Sequence, residues 1–301
     1  MNPQLSASQP GSAGFLQTAR SVVSLFKLRI GFMIMLTALV GMVVVPGRGP
    51  GAGAMLLLGL AVLTASASAG AFNQYHEYES DRLMARTRSR AFVTGALVRS
   101  PFWLVVMGLM LAGSVGAAAR WLNPVSALYV FLGAFFYAVV YTVWLKRRSW
   151  LNIVVGGMAG SFAVLAGAAA VDPVPGAFAW LLAAVLFLWT PPHFWSLAIA
   201  NQAEYKAAGV PMLPVVVGVP RAAVIVLWST IALAVVSVLP FWFGAGTIYL
   251  LSALAGGGYF VFKAWKLAQS PSRQTAMGSF FASLLQLGLL LAGATVDGLM
   301  R

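Results

Sequence analysis

The 301-residue chain contains no cysteine, and it has only six acidic residues and two histidines. Without cysteine, the chain cannot form disulfide bonds, thiolate nucleophiles or cysteine-ligated metal sites. Charged residues make up 8% of the sequence, whereas an ordinary soluble domain has about 25%. This shortage of charge excludes a soluble globular enzyme.

Hydrophobic residues account for 60% of the chain. They form runs of about twenty residues, each able to cross a hydrocarbon layer of roughly 30 Å as a helix. The runs lack the apolar–polar alternation of transmembrane barrel strands, which excludes that architecture. We therefore predict an all-α polytopic membrane protein with nine spans, near residues 30–46, 54–75, 101–119, 124–145, 152–171, 176–200, 221–243, 246–264 and 278–298.

The polar residues 1–26 lack the apolar core of a cleavable signal, and we expect a flexible tail there, with residues 27–301 forming a single transmembrane domain. The formal net charge is +13. In a membrane protein, such an excess reports orientation, because cations accumulate in cytoplasmic loops; no nucleic-acid partner is expected. With nine spans, sixteen of the 19 cations fall on the side of the N terminus. This asymmetry predicts a cytoplasmic N terminus.

The connections after the second and sixth spans are the longest, and both lie on the cation-rich side, so we expect function there. In the first of them, Asn73, Glu77 and Asp81 are spaced by four residues. If the second span continues as a helix, they lie on one face, and Glu79 points away. Carboxylate and amide oxygens at the membrane edge suit Mg²⁺, which keeps other positions for water and substrate phosphate.

Arginines follow these acids directly, at Arg82, Arg86, Arg88 and Arg90. Guanidinium groups bind phosphate oxygens with paired donors, so acids followed by arginines are the groups that a magnesium diphosphate requires. The plainer alternative is that the acids only solvate a helix end and pair with these arginines.

The sixth span carries the second group of polar residues. Pro191 and Pro192 predict a kink or break in the helix, which a membrane tolerates where neighbouring groups or a cavity satisfy the freed carbonyls. His193 follows, and it either satisfies a carbonyl or faces a cavity and contacts substrate. Trp189 is a candidate for the wall of that cavity, with core packing as the alternative.

Together these segments resemble the UbiA superfamily of intramembrane prenyltransferases and, within it, the haem O synthases. The resemblance covers roughly residues 25–220 and is carried by residues 73–90, 189–198 and 205–216, with shorter matches at 27–29 and 141–160. The second and third of these segments are specific to the haem-modifying branch.

The resemblance implies nine helices around a laterally open cavity, farnesyl diphosphate as donor, haem b as acceptor and Mg²⁺ as cofactor. By position, it assigns the metal to Asn73, Glu77, Asp81 and Glu204. It assigns substrate contacts to Arg86, Arg90, Lys146, Arg147, Trp189, Glu204, Tyr205 and Lys206, and catalytic roles to Asn73, Glu77, Asp81 and His193.

The resemblance further implies a cell inner membrane location and hand-over of the product to a terminal oxidase or a haem A synthase.

Two other functions compete with this interpretation. A related enzyme acting on another aromatic acceptor, such as a quinone precursor, would share the first acidic motif but lack the second-loop segments. A transporter or structural subunit is disfavoured because nearly every charge lies at the end of a span.

Overall fold

The computed structural model describes residues 12–47 and 51–300, which form helices and turns and no strand. In chain order the helices are α1 (Ser12–Leu25), α2 (Leu28–Val43), α3 (Ala52–His76), α4 (Tyr78–Asp81), α5 (Ala91–Thr94), α6 (Pro101–Trp121), α7 (Pro124–Phe135), α8 (Asn152–Gly156), α9 (Met158–Val171), α10 (Ala177–Ala200), α11 (Gln202–Ala207), α12 (Leu213–Val217), α13 (Val219–Val238), α14 (Thr247–Gln269) and α15 (Arg273–Leu299). A π-helix (Phe136–Leu145) continues α7, and a 3₁₀ turn (Leu239–Phe243) continues α13.

Eight helical segments of the described residues are long and apolar enough to cross a membrane. A ninth arises if α1 and α2 form one span, since Ala19–Leu25 and Leu28–Val43 meet at a bend of 43°. The helix ends differ from the predicted spans by at most five residues. The prediction of an all-α polytopic membrane protein is confirmed, with eight or nine spans.

The N-terminal segment differs from the expected tail, because residues 12–25 form α1. Leu25 is fully buried against Ala71 and Phe92, and Val22 packs on the same cluster. Helical spacing of these apolar side chains lets one face of α1 cover the end of α3, which favours a docked helix. Residues 1–11 of the predicted tail lie outside the described residues.

Helix α9 lies at the centre of the bundle, against α2, α7 and α10. Its neighbours approach so closely that a Cβ at Gly167 would overlap the backbone carbonyl oxygen of Ala38, and a Cβ at Gly41 would overlap that of Val164. Small residues allow such backbone contact between membrane helices, where van der Waals packing drives association. The crossing of α2 and α9 therefore requires glycine on both helices.

Asp297, an acidic residue outside the two long loops, has a structural partner. Asp297, buried near the end of α15, accepts a hydrogen bond of 2.8 Å from the backbone N–H of Tyr249 in the first turn of α14. Gly246 leaves the space, since a Cβ there would lie 2.6 Å from Cγ of Asp297. The carboxylate pairs an otherwise free N–H at a helix start and so joins α14 to α15.

Of the kink or break predicted at the proline pair, the break is wrong, because α10 continues as one helix through Pro191 and Pro192. Hydroxyl groups on both sides supply hydrogen bonds to the backbone. Thr190 donates to the carbonyl oxygen of Leu186 at 3.0 Å, and Ser196 donates to that of Pro192 at 2.7 Å. The carbonyls that the prolines leave without a helical donor are those of Phe187 and Leu188, and packing against α9, α13 and α15 supports the continuous helix.

Candidate active site

Asn73, Glu77 and Asp81 lie on one face at the end of α3, as their spacing predicts. Although α3 ends at His76, backbone hydrogen bonds from Glu77 to Asn73 (3.0 Å) and from Asp81 to Glu77 (2.9 Å) keep the helical register through the junction with α4. The three side chains are 2–3% exposed, whereas Glu79 is exposed. The described structure thus buries two carboxylates and one amide together.

Each of these three side chains is paired with one cation. Lys27 Nζ donates to Asn73 Oδ1 at 2.7 Å. Lys146 forms an ion pair with Glu77 Oε1, and Arg90 donates to Asp81 Oδ2 at 2.5 Å. We call these six residues the acid–cation cluster. Its cations outnumber its carboxylates by one, so it has a net positive charge.

Lys27 reaches the acid–cation cluster through a sharp turn between α1 and α2. Its φ of 48° is the only positive value at a non-glycine residue in the part of the chain that the structure describes. Such a conformation persists where surrounding contacts fix it, and it is common at functional sites. The side-chain stem lies along Gly70, where a Cβ would be 3.4 Å from Cδ of Lys27. The turn and the glycine together direct this ammonium group inward.

Arg90 is held by the loop that follows the acids. Thr87 donates its hydroxyl to the backbone carbonyl oxygen of Asp81 at 3.0 Å, which folds residues 82–90 back over α4. Arg90 immediately precedes α5, and its guanidinium also lies 3.9 Å from Glu77 Oε2. Arg90, which follows the acids in the sequence, therefore also contacts Asp81 and Glu77 in the folded chain.

The π-helix supplies the wall opposite the acids. Thr142 accepts from Asn73 Nδ2 at 3.0 Å and donates to the carbonyl oxygen of Tyr137 at 2.8 Å. The ring of Tyr137 stacks on Tyr141 at 5.7 Å, and the Lys146 ammonium lies 5.7 Å from the centre of the Tyr141 ring. The wider π turn presents Tyr137, Thr142 and Lys146 to the same space, a local irregularity that is frequent at functional sites.

The acid–cation cluster contains a carboxylate oxygen that accepts no hydrogen bond and suits a hard metal ion. Glu77 Oε2 is buried without a hydrogen-bond partner in the described residues, and a buried carboxylate oxygen costs free energy unless a ligand pairs it. Within residues 12–47 and 51–300, no three His, Asp or Glu side chains form a metal site. The donors are two carboxylates and an amide, which suit Mg²⁺ with phosphate oxygens completing its coordination.

The remaining predicted charged ligands, all within the described residues, form no bond with this cluster. Arg86, Arg147 and Lys206 are exposed, and none has a side-chain hydrogen bond or ion pair within the described residues. Glu204 is half-buried and likewise has no ion pair there. The structure therefore does not bring Glu204 into contact with the other predicted metal ligands.

The two long loops nevertheless touch. Tyr205 is buried in one apolar cluster with Met84, Met212 and Ile153. Because Met84 lies between the acids and Arg90, this contact attaches the second loop to the first. The packing brings the two loops together, and their joint involvement in one site stays a prediction.

His193 and Trp189 lie between α10 and α15. The imidazole of His193 is 6% exposed, stacks on Trp189 with 4.1 Å between ring centres, and has Nδ1 2.6 Å from the hydroxyl oxygen of Ser283. Trp189 donates its indole N–H to the carbonyl oxygen of Ser283 at 2.8 Å. The expectation that His193 satisfies a backbone carbonyl is not met, since its partner is a hydroxyl.

Several residues of the site were not predicted from the sequence: Lys27, Tyr137, Thr142, Ser283 and Phe280, whose ring stacks on His193 with 4.5 Å between the ring centres. Lys27 had a recognisable signal, because it is a cation directly before an apolar span. The others are ordinary aromatic or hydroxyl residues within apolar runs. Only their contacts in the folded chain distinguish them.

Comparison with known proteins places this architecture in a family. Residues 34–285 match the UbiA prenyltransferase family. The chain belongs to this family. Accordingly, this UbiA protein is a multi-pass membrane prenyltransferase.

Curated relatives are similar over nearly their whole length. A protein of Paramagnetospirillum magneticum named protoheme IX farnesyltransferase 2 is 50% identical, over 93% of this chain and 97% of its own. Protoheme IX farnesyltransferase of Granulibacter bethesdensis is 37% identical, over 97% of this chain and 94% of its own.

Solved structures share the fold of this UbiA protein. A digeranylgeranylglyceryl phosphate synthase structure matches with a TM-score of 0.77 and 17% identity, over 94% of this chain and 99% of the other. A UbiA homologue from Archaeoglobus fulgidus bound to DMAPP and Mg²⁺ matches with a TM-score of 0.70 and 15% identity, over 92% and 99% of the chains. These likenesses confirm the predicted UbiA-type helical bundle.

Proposed function

We propose that this protein transfers the farnesyl group of farnesyl diphosphate to a vinyl group of protoheme IX (haem b), giving haem O and diphosphate. The acid–cation cluster is the observation that supports a diphosphate as the donor substrate, because each candidate metal ligand in it is already paired with a cation. The acceptor is supported by the relatives named protoheme IX farnesyltransferase, which match this chain over almost their entire length.

Mg²⁺ is the proposed cofactor, held by Asn73, Glu77 and Asp81. The buried Oε2 of Glu77, which accepts no hydrogen bond from the described residues, supports this assignment, as does the binding of Mg²⁺ by the homologue from Archaeoglobus fulgidus. When bound, the metal neutralises charge on the departing diphosphate. Glu204 is proposed as an additional ligand, which requires the second loop to move closer, because the structure leaves Glu204 apart from these residues.

Binding of the diphosphate exchanges partners within the acid–cation cluster. With the metal bound, Glu77 and Asp81 would hold it, and Lys146 and Arg90 would then be free to bind diphosphate oxygens. The net positive charge of the cluster complements a diphosphate that remains anionic after binding one metal ion. Arg86 and Arg147, which are exposed, are proposed to add contacts as the loops close, together with Tyr205 and Lys206 of the second loop.

Transfer itself needs no protein nucleophile. The bond between the first farnesyl carbon and the diphosphate oxygen breaks, the electron pair leaves with the diphosphate, and the terminal vinyl carbon of the porphyrin bonds to the farnesyl carbon. Water then adds to the inner carbon of the same vinyl group, which is bonded to the porphyrin ring, and loses a proton, giving the hydroxyethylfarnesyl group. Fixed cations stabilise the leaving group, and the apolar spans exclude water from the allylic carbon. His193 and Trp189 are proposed to face the porphyrin.

Residues 27–301 are proposed to act as one catalytic domain in the cell inner membrane, with a cytoplasmic N terminus. The product is proposed to pass to a terminal oxidase or a haem A synthase. This orientation places the acid–cation cluster and both long loops on the side where a soluble diphosphate is available.

The direct test is a product assay with the purified protein in detergent, haem b, farnesyl diphosphate and Mg²⁺. We expect mass spectrometry to find hydroxyethylfarnesyl haem, and we expect a metal chelator to abolish it. Consumption of farnesyl diphosphate on a quinone precursor, with haem b unchanged, would contradict the acceptor and retain the prenyltransferase. No consumption with any acceptor would contradict the function as a whole.

A second prediction concerns Lys27. The Lys27→Met substitution retains the apolar stem beside Gly70 and removes the ammonium group that bonds Asn73. Hydrogen bonds from charged donors contribute about 1.5–3 kcal/mol, so we expect kcat/KM for farnesyl diphosphate to fall by about 10- to 100-fold. Arg29→Met is the matched control, since Arg29 is an exposed cation with no side-chain partner in the described residues. Equal losses in the two variants would contradict a specific role for Lys27.

A further inference from the structure

The imidazole of His193 is fixed on both faces. Its ring lies between Trp189, 4.1 Å away and tilted by 19°, and Phe280, 4.5 Å away and tilted by 27°. Trp189 is itself held by its hydrogen bond to Ser283. Stacking on two sides prevents rotation of the imidazole, so its two nitrogens point in fixed directions.

The contacts of Ser283 determine which nitrogen carries the proton. The hydroxyl oxygen of Ser283 lies 2.6 Å from the backbone carbonyl oxygen of Phe280 and 2.6 Å from Nδ1 of His193. A carbonyl oxygen can only accept, so the single hydroxyl proton of Ser283 belongs to that bond. Both contacts are then satisfied only if Nδ1 of His193 carries a hydrogen and donates it to Ser283.

In that neutral tautomer, Nε2 has a free lone pair. Nε2 has no hydrogen-bond partner among the described residues, and it is not enclosed by protein atoms as Glu77 Oε2 is. A second proton on Nε2 would have no acceptor there. His193 therefore presents a free lone pair on Nε2 of a rigid ring, and a neutral imidazole of this kind is the form of histidine that binds a metal.

His193 is also close to the donor site through packed contacts. One turn earlier in α10, the side chain of Thr190 fills the space beside Gly157, where a Cβ would lie 2.9 Å from Cβ of Thr190. The adjacent Gly156 packs equally closely on Tyr141, a wall residue of the acid–cation cluster. This continuous contact connects the His193 segment to the diphosphate site.

We propose that Nε2 of His193 is the axial ligand of the iron in the porphyrin acceptor, and that Ser283 is the positioning residue that fixes its tautomer. The proposal rests on the proposed function, which supplies an iron porphyrin as substrate. A hydrogen bond from Nδ1–H to an oxygen orients a ligating histidine and raises its basicity. Anchoring the iron fixes the distance between the reacting vinyl group and the allylic carbon. Bringing two substrates into reacting geometry is a large part of the activation free energy of such a reaction.

The test uses the full-length protein, purified without a polyhistidine tag, with ferrous haem b and no farnesyl diphosphate. The chain has two histidines, so an iron–histidine stretching band in the resonance Raman spectrum comes from His193 or His76. We expect the band in the wild type and in His76→Gln, and its loss in His193→Ala. We expect added imidazole to restore iron–nitrogen ligation in His193→Ala.

Substitutions at Ser283 test the positioning role. Without the acceptor for Nδ1–H, Ser283→Ala is expected to keep the band but shift it to lower frequency, and Ser283→Thr, which retains a hydroxyl, is expected to restore the wild-type frequency. Ser279→Ala is the matched control. Ser279 lies one turn away on α15 and bonds Ser196 at 2.9 Å, so its loss perturbs the same helix contact without touching the imidazole, and the frequency should not change.

Absence of the band in the wild type, or its persistence in His193→Ala, would overturn iron ligation. An identical frequency in wild type and folded Ser283→Ala would overturn the role of Ser283. Product formation without the band would leave the proposed function intact and refute the ligand. The band without any product from farnesyl diphosphate would support the ligand and refute the proposed transfer.

Discussion

Asp81→Asn is expected to lower kcat/KM for prenyl transfer by about 10²- to 10³-fold, the range seen when one preorganised electrostatic group is removed from an active site. Asparagine keeps the shape of Asp81 and removes its charge, so the proposed Mg²⁺ site loses one of its two buried carboxylates. Arg90 also loses its partner in the acid–cation cluster. When initial rates are measured against Mg²⁺ concentration, the variant should need a higher Mg²⁺ concentration than the wild type to reach half of its maximal rate.

Glu79→Gln is the matched control for this result. It removes the same charge two residues earlier, from an exposed side chain outside the acid–cation cluster. We expect its rate and Mg²⁺ dependence to equal those of the wild type. If Glu79→Gln lost as much activity as Asp81→Asn, the effect would come from the general charge of the helix end, and the alternative that these acids only solvate it would be correct.

The second large effect is expected on folding. In Gly167→Ala, the new methyl group meets the backbone carbonyl oxygen of Ala38 on α2, and neither helix backbone can move without disturbing the core around α9. Overpacking of a core costs about 1–3 kcal/mol and sometimes more, and contact with backbone offers no flexible side chain to yield. We expect a clearly lower thermal midpoint in detergent and little monodisperse protein.

Gly160→Ala tests whether this effect is specific. Gly160 lies on the same helix, but a Cβ built there has no atom within 4 Å. The helix interior also favours alanine over glycine by about 0.5–1 kcal/mol. Gly160→Ala should therefore keep or raise the midpoint. Comparable losses in the two variants would indicate that α9 requires glycine for a reason other than its crossing with α2.

Much of the fold could be predicted because it depends on local composition. Apolar runs of membrane-spanning length placed the helices within five residues of their observed ends. The spacing of Asn73, Glu77 and Asp81 fixed their common face, since residues four apart adjoin on any helix. The exposure of Glu79 followed from the same geometry.

Other predictions failed or fell short where a neighbouring group decided the outcome. The proline pair did not break α10, which continues through both prolines and packs against α9, α13 and α15. The N-terminal segment beyond residue 11 forms a helix because Leu25 has a buried position available beside Phe92. The π-helix that presents Thr142 and Lys146 left no distinct pattern in an apolar run.

The membrane class, the helix positions and the acidic face could thus be predicted from composition and spacing, since each follows from partition into lipid or from the helical repeat. The partners of the site residues depend on the fold. Lys27 meets Asn73 across 46 residues and Tyr137 across 110, and His193 meets Ser283 across 90. Such contacts depend on how helices cross, and helix crossing is set by packing between distant segments that no local pattern records.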